Sequence, residues 1–188
     1  MIPIETQRLL IRAFKEPDRA LFHEINSDDK VMEFYPYRRT RAQSDALFDI
    51  ACAETPRTGY GFTAVEIKAS GVCIGYCCLA FPKLAPIFPE ETVEIGWRVA
   101  VRHWGNGYVT EAAKVLLADG FTKRGLDEII SFAVPANLRS LAVMQRIGMH
   151  RDPSRDFDHP RINDDYGHLK HHITYRLSKN EWEGSHIL

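Results

Sequence analysis

Apolar residues alternate with polar or small residues along 92–101, the most regular stretch of the chain. They occupy every odd position from Val93 to Val101, and this period of two is typical of a pleated strand. Directly afterwards the period changes to three and four residues, as in a helix with one buried face. The pattern therefore predicts a strand over 92–101 and a helix that begins near Val109 and ends before Gly125. The apolar positions of this helix are Val109, Ala112, Ala113, Leu116, Leu117 and Phe121.

The rest of the chain divides into shorter elements of both kinds. Strands are expected at 8–12, 61–68, 72–80, 128–134, 149–152 and 173–177. Helices are expected at 17–25, 28–34, 41–54 and 138–147, and a long loop at 153–168. Thr40 is the expected N-cap of the helix at 41–54. The predicted buried face of that helix consists of Ala46, Leu47, Ile50 and Ala51. The order β-α-α-β-β-β-α-β-α-β-β predicts a mixed α/β (α+β) fold and not a doubly wound parallel sheet.

Two glycines, Gly105 and Gly107, lie in the turn between the regular strand and its helix. Several backbone N–H groups can converge there at the positive end of the helix dipole, which suits a phosphate or pyrophosphate. The dinucleotide-binding fingerprint needs a third glycine or alanine where this chain has Thr110, and the turn lacks the Gly-Lys-Ser/Thr of a Walker loop. The remaining pattern is Arg-x-x-Gly-x-Gly, which begins at Arg102. A purely structural turn and a nucleotide-binding turn are the alternatives.

Length and composition limit the class of protein. The 188 residues suffice for one well-buried domain, expected to span 1–188 because no Pro- or Ser-rich linker divides them. The net charge is −1 with both signs interspersed, which argues against a nucleic-acid-binding surface. No leader-like start and no run of about eighteen apolar residues occurs, so we expect a cytoplasmic protein without a membrane partner. The four cysteines form no CxxC pair and are expected to be buried, reduced thiols.

Four segments, taken together and in this order, resemble the GNAT superfamily of acetyl-CoA-dependent acyltransferases. They are 5–12, 93–99, 104–112 and 137–140, the last followed by 147–149. More narrowly, the chain is similar to the branch that includes the Rim-type ribosomal-protein N-terminal acetyltransferases. The resemblance covers nearly the whole chain. It implies a GNAT-like, mostly antiparallel central sheet flanked by helices, with acetyl-CoA as co-substrate and no metal.

The resemblance also implies which positions bind CoA. Backbone amides of the glycine turn would hold the pyrophosphate, and the end of the central strand would pair with the pantetheine amides and direct an N–H at the thioester carbonyl. Two residues at the start of the helix at 138–147 would face the thiol end. These positions are Gly105, Asn106, Gly107, Tyr108 and Val109, preceded by Arg102 of the motif, then Val99 and Val101, and finally Asn137 and Ser140. An ordinary N-cap is the alternative role for Asn137.

Glu94 is the candidate general base, because an amine acceptor must lose a proton before it can attack the thioester. By alternation it lies on the same face of the strand as Arg98, opposite the apolar row, and a salt bridge between the two is the alternative. Many family members have a tyrosine seven residues after Asn137 that protonates the departing thiolate. This chain has Met144 there, so Ser140 or water is the candidate for that step.

The acceptor amine is expected between two loops that carry Tyr35, Arg38 and Asp158. The histidines at 159–172 lack the spacing of a zinc site, so no metal site is expected. The predicted function is direct acetyl transfer to a primary amine, which a protein N-terminus or a small molecule could supply. A catalytically inactive acyl-CoA-binding sensor or interaction domain is the alternative, motivated by Met144. A homodimer is left open.

Overall fold

The computed structural model describes residues 3–185, in which nine strands and five α-helices form one sheet with helices against it. The strands are β1 Ile4–Glu5, β2 Leu9–Arg12, β3 Gly61–Ile67, β4 Val72–Ala80, β5 Glu94–Val99, β6 Glu128–Ala133, β7 His150–Arg151, β8 Phe157–Asp158 and β9 His171–Ser178. The helices are α1 Arg19–Ser27, α2 Arg41–Thr58, α3 Tyr108–Thr122, α4 Leu138–Arg146 and α5 Lys179–Ser185. None of the helices within the described range is long and apolar enough to cross a membrane.

The strand order is β1-β2-β3-β4-β5-β6-β9-β7, with β8 paired to β9. Every neighbouring pair is antiparallel except β5 and β6. The predicted fold class, a mixed and mostly antiparallel sheet flanked by helices, is therefore confirmed.

The one parallel pair separates soon after it begins. The ladder between β5 and β6 contains the single Cα pair Glu94↔Ile130, supported by a bond of 3.0 Å from the Ile130 N–H to the Val93 carbonyl. One further bridge, from Ser131 Oγ to the Ile95 carbonyl, measures 2.9 Å. Towards Val99 the ladder between the two strands has ended, so the later half of β5 presents a backbone edge beside a gap.

Strand β4 follows the other edge of β5 closely. Gly75 of β4 lies opposite Val99, and its φ of +150° falls in the region that glycine favours. A Cβ atom at this position would lie 2.2 Å from the Arg98 carbonyl oxygen and 2.7 Å from the Val99 Cα. The register between β3 and β4 also shifts next to Gly75, which is the signature of a β-bulge. The close approach of β4 to the end of β5 therefore requires glycine.

Apolar side chains fill both sides of the sheet. On one side, α3 contributes the large buried side chains Leu116, Leu117 and Phe121. Against α1 and α2, Phe22 and Phe48 are both 1% exposed, with ring centroids 5.5 Å apart. Burial of this area is the main stabilising contribution that positions β5 between the two layers.

Three local predictions are wrong. Residues 28–34 form turns, because the Asp28 carboxylate accepts hydrogen bonds from the backbone N–H groups of Lys30 and Val31 and so competes with helix formation. Strand β5 ends at Val99, and Val101 begins a short 3₁₀ turn instead of continuing the strand.

The third concerns α2, whose N-cap at Thr40 is confirmed by a capping box with Gln43. Its buried residues are Ser44, Phe48, Ala51 and Thr55. Of the face predicted from the sequence, Ile50 is 57% exposed and Ala46 is exposed as well. The helix is rotated because Phe48, its largest side chain, packs against Phe22.

Several short elements have no counterpart among the predicted ones. They are β1, β8, α5 and two 3₁₀ segments within the region predicted as a loop, Pro153–Arg155 and Asp164–Leu169. All four cysteines are free thiols, and burial raises the pKa of Cys77 to about 12. The expected burial is found for Cys77 and Cys78, whereas Cys52 and Cys73 are only partly buried.

Candidate active site

A cleft of about 1010 Å³ opens where β5 and β6 separate. Its walls come from the end of β5, the glycine turn, the first turns of α3 and α4, and the segment that follows α1. Among the residues identified from the sequence, Tyr35, Val99, Gly105, Gly107, Val109, Asn137 and Ser140 line it. The structure thus brings six of the ten predicted cofactor positions and one predicted acceptor position to the same cavity. Val101, Arg102, Asn106 and Tyr108 are not among its lining residues.

The glycine turn exposes a run of backbone donors. Gly105 and Gly107 have φ values of +77° and +75°, and Gly107 is the N-cap of α3. Within residues 3–185, the backbone N–H groups of residues 105–110 have no hydrogen-bond acceptor. The Asn106 amide stabilises the turn by donating to the carbonyls of His103 and Trp104, at 3.2 and 3.0 Å. The arrangement can accept an anion at the positive end of α3.

Arg8 places a positive charge on this turn. Its Nε donates to Glu111 at 2.6 Å, its Nη1 donates to the Asn106 carbonyl at 3.0 Å, and its guanidinium lies 4.8 Å from the centre of the Tyr108 ring. Glu111 also accepts from Thr6 Oγ1 at 2.5 Å. Burial opposes ionisation of Glu111, but these hydrogen bonds outweigh it and lower its pKa. The carboxylate therefore stays charged and holds Arg8 in place.

No local pattern in the sequence indicates a role for Arg8. The residue lies in the segment 5–12, one of the four that carry the family resemblance. Its contacts with the glycine turn join residues about a hundred positions apart in the sequence. That information is absent from local spacing.

The indole of Trp104 bridges the turn and the strand. Its Nε1 donates to the Val99 carbonyl at 2.7 Å. This bond occupies one of the two lone pairs of a carbonyl oxygen that is predicted to pair with pantetheine. The Arg139 guanidinium lies 4.6 Å from the centre of the Trp104 ring and donates to Glu33 at 2.5 Å. Pairing of Val99 with pantetheine stays a prediction.

The start of α4 combines a cap with a cavity wall. Asn137 is the N-cap, and its Oδ1 accepts from the Ser140 N–H at 3.2 Å. Both residues also line the cleft, so the cap and a ligand contact are compatible. Met144 is 1% exposed and belongs to the core beneath α3. Its side chain therefore fills the core at the position where the resemblance implies a tyrosine in many family members.

Glu94 is a carboxylate without a partner. Within the described part of the chain, its side chain makes no hydrogen bond or salt bridge, so the alternative pairing with Arg98 is not formed. Burial raises its pKa to about 7, and a weaker attraction to Arg161 acts in the opposite direction. Glu94 lies on the same face of β5 as Arg98, towards the end still paired with β6, and is not among the residues that line the cleft. A group with this pKa can accept a proton near neutral pH.

Arg98 has neutral partners instead of a carboxylate. Its Nη1 donates to Asn26 Oδ1, and its guanidinium lies 4.4 Å from the centre of the Tyr35 ring and 5.6 Å from that of Tyr76. Asn26 is fully buried and is fixed by a bond of 2.6 Å to the Phe22 carbonyl. From alternation along the strand, Arg98 is expected only as a partner of Glu94.

Three further predicted site residues, Arg38, Arg102 and Asp158, are not among the residues that line the cleft. Arg38 ties its own loop together through Asp29, at 2.9 Å, and the Met32 carbonyl, at 2.8 Å. Arg102 pairs with Glu24 on the surface. Asp158 is exposed on β8, 3.2 Å from His171 Nδ1. Direct substrate roles for these residues stay predictions.

The histidine-rich region contains no metal cluster. Among residues 3–185, no group of three or more His, Cys, Asp or Glu side chains could hold an ion. His159 and His172 have ring centres 5.1 Å apart, and burial, followed by the charge of neighbouring groups, lowers the pKa of His159 to about 4. His159 is therefore neutral at physiological pH.

Comparison with known sequences assigns most of the chain to one family. Residues 8–150 match the family model described as the acetyltransferase (GNAT) domain. The uncharacterized N-acetyltransferase YnaD of Bacillus subtilis is 33% identical over 153 residues, which cover 79% of this chain and 83% of that protein.

Solved structures share the architecture described above. A GNAT-family acetyltransferase from Bacillus anthracis superposes with a TM-score of 0.76 at 27% identity, covering 95% of this chain and 99% of that one. The spermidine N-acetyltransferase from Vibrio cholerae, in complex with CoA and spermine, gives a TM-score of 0.73 at 15% identity, covering 95% and 99%. A ribosomal-protein-serine acetyltransferase from Vibrio cholerae gives a TM-score of 0.71 at 17% identity, covering 94% of this chain and 97% of that one. A ribosomal-protein-S5-alanine acetyltransferase from Vibrio fischeri gives a TM-score of 0.74 at 15% identity, covering 97% and 99%. The likeness to the three structures from Vibrio species, at 15–17% identity, concerns the fold alone.

Proposed function

Because this chain belongs to the GNAT family of acetyltransferases, we propose that its cleft binds acetyl-CoA and that the acetyl group passes directly to a primary amine. The observation that carries the proposal is the run of unpaired backbone N–H groups at residues 105–110, directly after the free edge of β5. Few other ligands need both a diphosphate cradle and an extended edge beside it.

Binding of CoA would use backbone donors first and side-chain charge second. The amides from Gly105 to Val109 would take the pyrophosphate, with the Arg8 guanidinium beside them. The edge of β5 near Val99 would pair with the pantetheine arm, and Asn137 and Ser140 would face its thiol end.

Transfer requires the acceptor amine to lose a proton, since an alkylammonium has no lone pair for attack. Glu94, with its pKa near 7, would take this proton directly or through a water. The neutral nitrogen then bonds to the acetyl carbon and the carbon–sulfur bond breaks. The second proton of the nitrogen passes, through Ser140 or water, to the departing thiolate, so that one amide and one thiol form.

A covalent acetyl-enzyme is not part of this proposal. Burial raises the pKa of Cys73 and Cys77 to about 12, and it raises the pKa of Cys78 strongly as well. None of these thiols is a thiolate near neutral pH, and the thiolate is the nucleophilic form.

An acceptor screen with mass detection tests the proposal. The enzyme is incubated with acetyl-CoA and a mixed panel of peptides with free N-termini, amino acids, aminoglycosides and polyamines, while thiol release is followed in parallel. We expect amine-dependent thiol release and a product heavier by one acetyl group. Tight CoA binding with no thiol release from any amine would instead favour the acyl-CoA sensor. A cytoplasmic location also stays a prediction.

A further inference from the structure

The cleft carries more positive charge than its own carboxylates balance. Among the described residues, six lysine and arginine side chains line it, but only one carboxylate, Glu111. The six cations are Arg8, Lys30, Arg98, Lys114, Arg139 and Arg146. A cleft with this charge favours anionic ligands.

Some of these cations have an evident use. Arg8 lies on the phosphate-binding turn, and Lys114 lies one helical turn beyond Thr110 on α3, so both suit the phosphates of CoA. Arg139 is paired with Glu33. Arg98 lies beside the Tyr35 ring, and Lys30 and Arg146 are further cations of the cleft lining. Within residues 3–185 none of these three has a carboxylate within 4.0 Å.

Arg98 differs sharply from Arg12, a buried arginine of strand β2. Arg12 is 5% exposed, and its guanidinium contacts Asp18 and Glu66, each at 2.6 Å. Arg98 has no such carboxylate, and its Nε atom is buried without any hydrogen-bond acceptor in the described structure. A buried charge and an unsatisfied buried donor each cost free energy, which an anion from outside the chain would recover.

The Arg98 guanidinium is also preorganised for binding. Asn26 fixes Nη1 from one side, and Tyr35 and Tyr76 flank the guanidinium. A side chain fixed by these contacts loses little rotamer entropy when it binds a ligand. Its planar fork matches a carboxylate in a bidentate contact.

We propose that the acceptor is a small, amino-acid-like molecule that carries a carboxylate as well as its primary amine, and that Arg98, assisted by Lys30, binds this carboxylate. The inference rests on the proposed acetyl transfer and specifies its substrate class. Arg98 and Glu94 lie four residues apart on one face of β5, about 13 Å between Cα atoms at the usual rise of a strand. Carboxylate at Arg98 and amine towards Glu94 would orient the acceptor along the strand. A polyamine, which brings only positive charge, is disfavoured here.

Matched acceptor pairs test this assignment. Rates are measured with glutamate against glutamine, aspartate against asparagine, and each amino acid against its α-carboxamide, with spermidine as a cationic amine. Because a charged, buried hydrogen bond contributes about 1.5–3 kcal/mol, the wild-type enzyme should prefer at least one carboxylate over its amide by about tenfold or more in kcat/KM. Arg98→Gln should reduce this preference to about twofold or less, and Arg98→Lys should retain part of it.

Controls separate recognition from folding. Arg57→Gln removes an exposed cation of α2, paired only with Glu54, and should leave the preference unchanged. Lys30→Gln should reduce the preference less than Arg98→Gln, and it keeps the inference testable if Arg98→Gln melts below the assay temperature. Equal use of acids and amides by the wild type, or a preference that survives in both variants, would overturn the inference while leaving acetyl transfer intact.

A binding experiment tests the anion site separately from the proposed acetyl transfer. If no amine is acetylated, calorimetry on the CoA-loaded protein compares each N-acetylamino acid with its carboxamide. Carboxylate-dependent binding that Arg98→Gln abolishes supports the anion site without any catalysis. Equal binding of the two forms rejects it.

Discussion

The two ends of the cleft are built in different ways. The proposed phosphate-binding turn is a backbone site, in which consecutive N–H groups from residue 105 onwards share one turn and one helix terminus. The proposed acceptor end is a side-chain site, in which Tyr35, Asn26 and Arg98 come from three segments. A backbone site tolerates many side chains but few changes of φ, whereas a side-chain site depends on the identity of each residue. If both assignments are right, we expect substitutions that change acceptor choice to leave cofactor affinity largely unchanged.

The largest expected effect is on the chemistry at the acceptor end. Glu94→Gln keeps the shape of the side chain but removes its basicity, so kcat at pH 7 should fall on the order of 10²-fold, within the usual range for a general base. Affinity for acetyl-CoA, measured by calorimetry, should stay nearly unchanged.

The pH dependence of the same variant has a definite sign. Glu94 has its pKa raised to about 7, so it is protonated and unable to accept a proton below that value. Wild-type kcat should rise as the pH increases through about 7, and the deficit of Glu94→Gln should shrink at higher pH, where free amine is available without help. Wild-type kcat in the variant across the whole range would show that the proton leaves through solvent.

A change at the phosphate end should affect binding and spare the fold. Gly107→Val forces a β-branched residue to φ near +75° and places methyl groups on the surface of the turn that faces the cleft. Affinity for CoA should fall by at least about tenfold, or roughly 1.4 kcal/mol.

Gly125→Val is the matched control for that change. Gly125 has a φ of +68° and open space around its Cβ position, and it follows the far end of α3. The backbone strain is therefore similar, but affinity for CoA should be retained. Equal loss of CoA affinity in both variants would mean that strain, and not the site, explains the result.

A smaller effect is expected for the charge beside the turn. Arg8→Gln should weaken CoA binding about fivefold, the scale of about 1 kcal/mol expected for a partly exposed charge. The salt dependence of affinity should become shallower, because one charge contact is lost. Lys68→Gln, which removes the pair with Glu5 in the same region, is the control for general destabilisation. Unchanged affinity and salt dependence in Arg8→Gln would reduce Arg8 to a structural partner of Glu111.

The smallest expected effects concern the acceptor loops. Tyr35→Ala removes a cleft residue stacked on Arg98 and should raise the acceptor KM about threefold, as expected for loss of one cation–π contact. Asp158→Asn should change it by about twofold or less, because Asp158 lies outside the lining of the cleft. Steady-state kinetics with each substrate varied in turn measures the acceptor KM of both variants. A larger effect at Asp158 would show that the loop after β7 closes over the acceptor.

The contrast between a backbone site and a side-chain site also explains which parts of the site the sequence could predict. The glycine turn was predictable because strand, glycines and helix are contiguous, so that local periodicity and spacing contain the whole geometry. Arg8 was not, since its contacts join residues about a hundred positions apart. The interpretation of Arg98 as a partner of Glu94 relied on alternation, which places two residues on one face but not within bonding distance.

The fold was predicted well where patterns were long, and less well where packing decides. The strands at β3 and β4 and the helix at α4 are confirmed within about a residue or two. The orientation of α2 failed because its moderately apolar surface allows several faces, and the aromatic contact between Phe48 and Phe22 selects one. Asp28 ended a helical pattern through its own side chain, an effect that hydrophobic periodicity does not register.

Gly75 shows how evolutionary records of such a protein should be interpreted. It touches none of the proposed ligands, yet an added methyl group would collide with the backbone of β5 at the place where the strand leaves its neighbour. We expect saturation mutagenesis to find this position as intolerant as the phosphate-binding turn, for a purely steric reason. Invariance among relatives would therefore identify the residues that contact the substrates, and also Gly75, which allows β4 to approach the end of β5 beside the cleft.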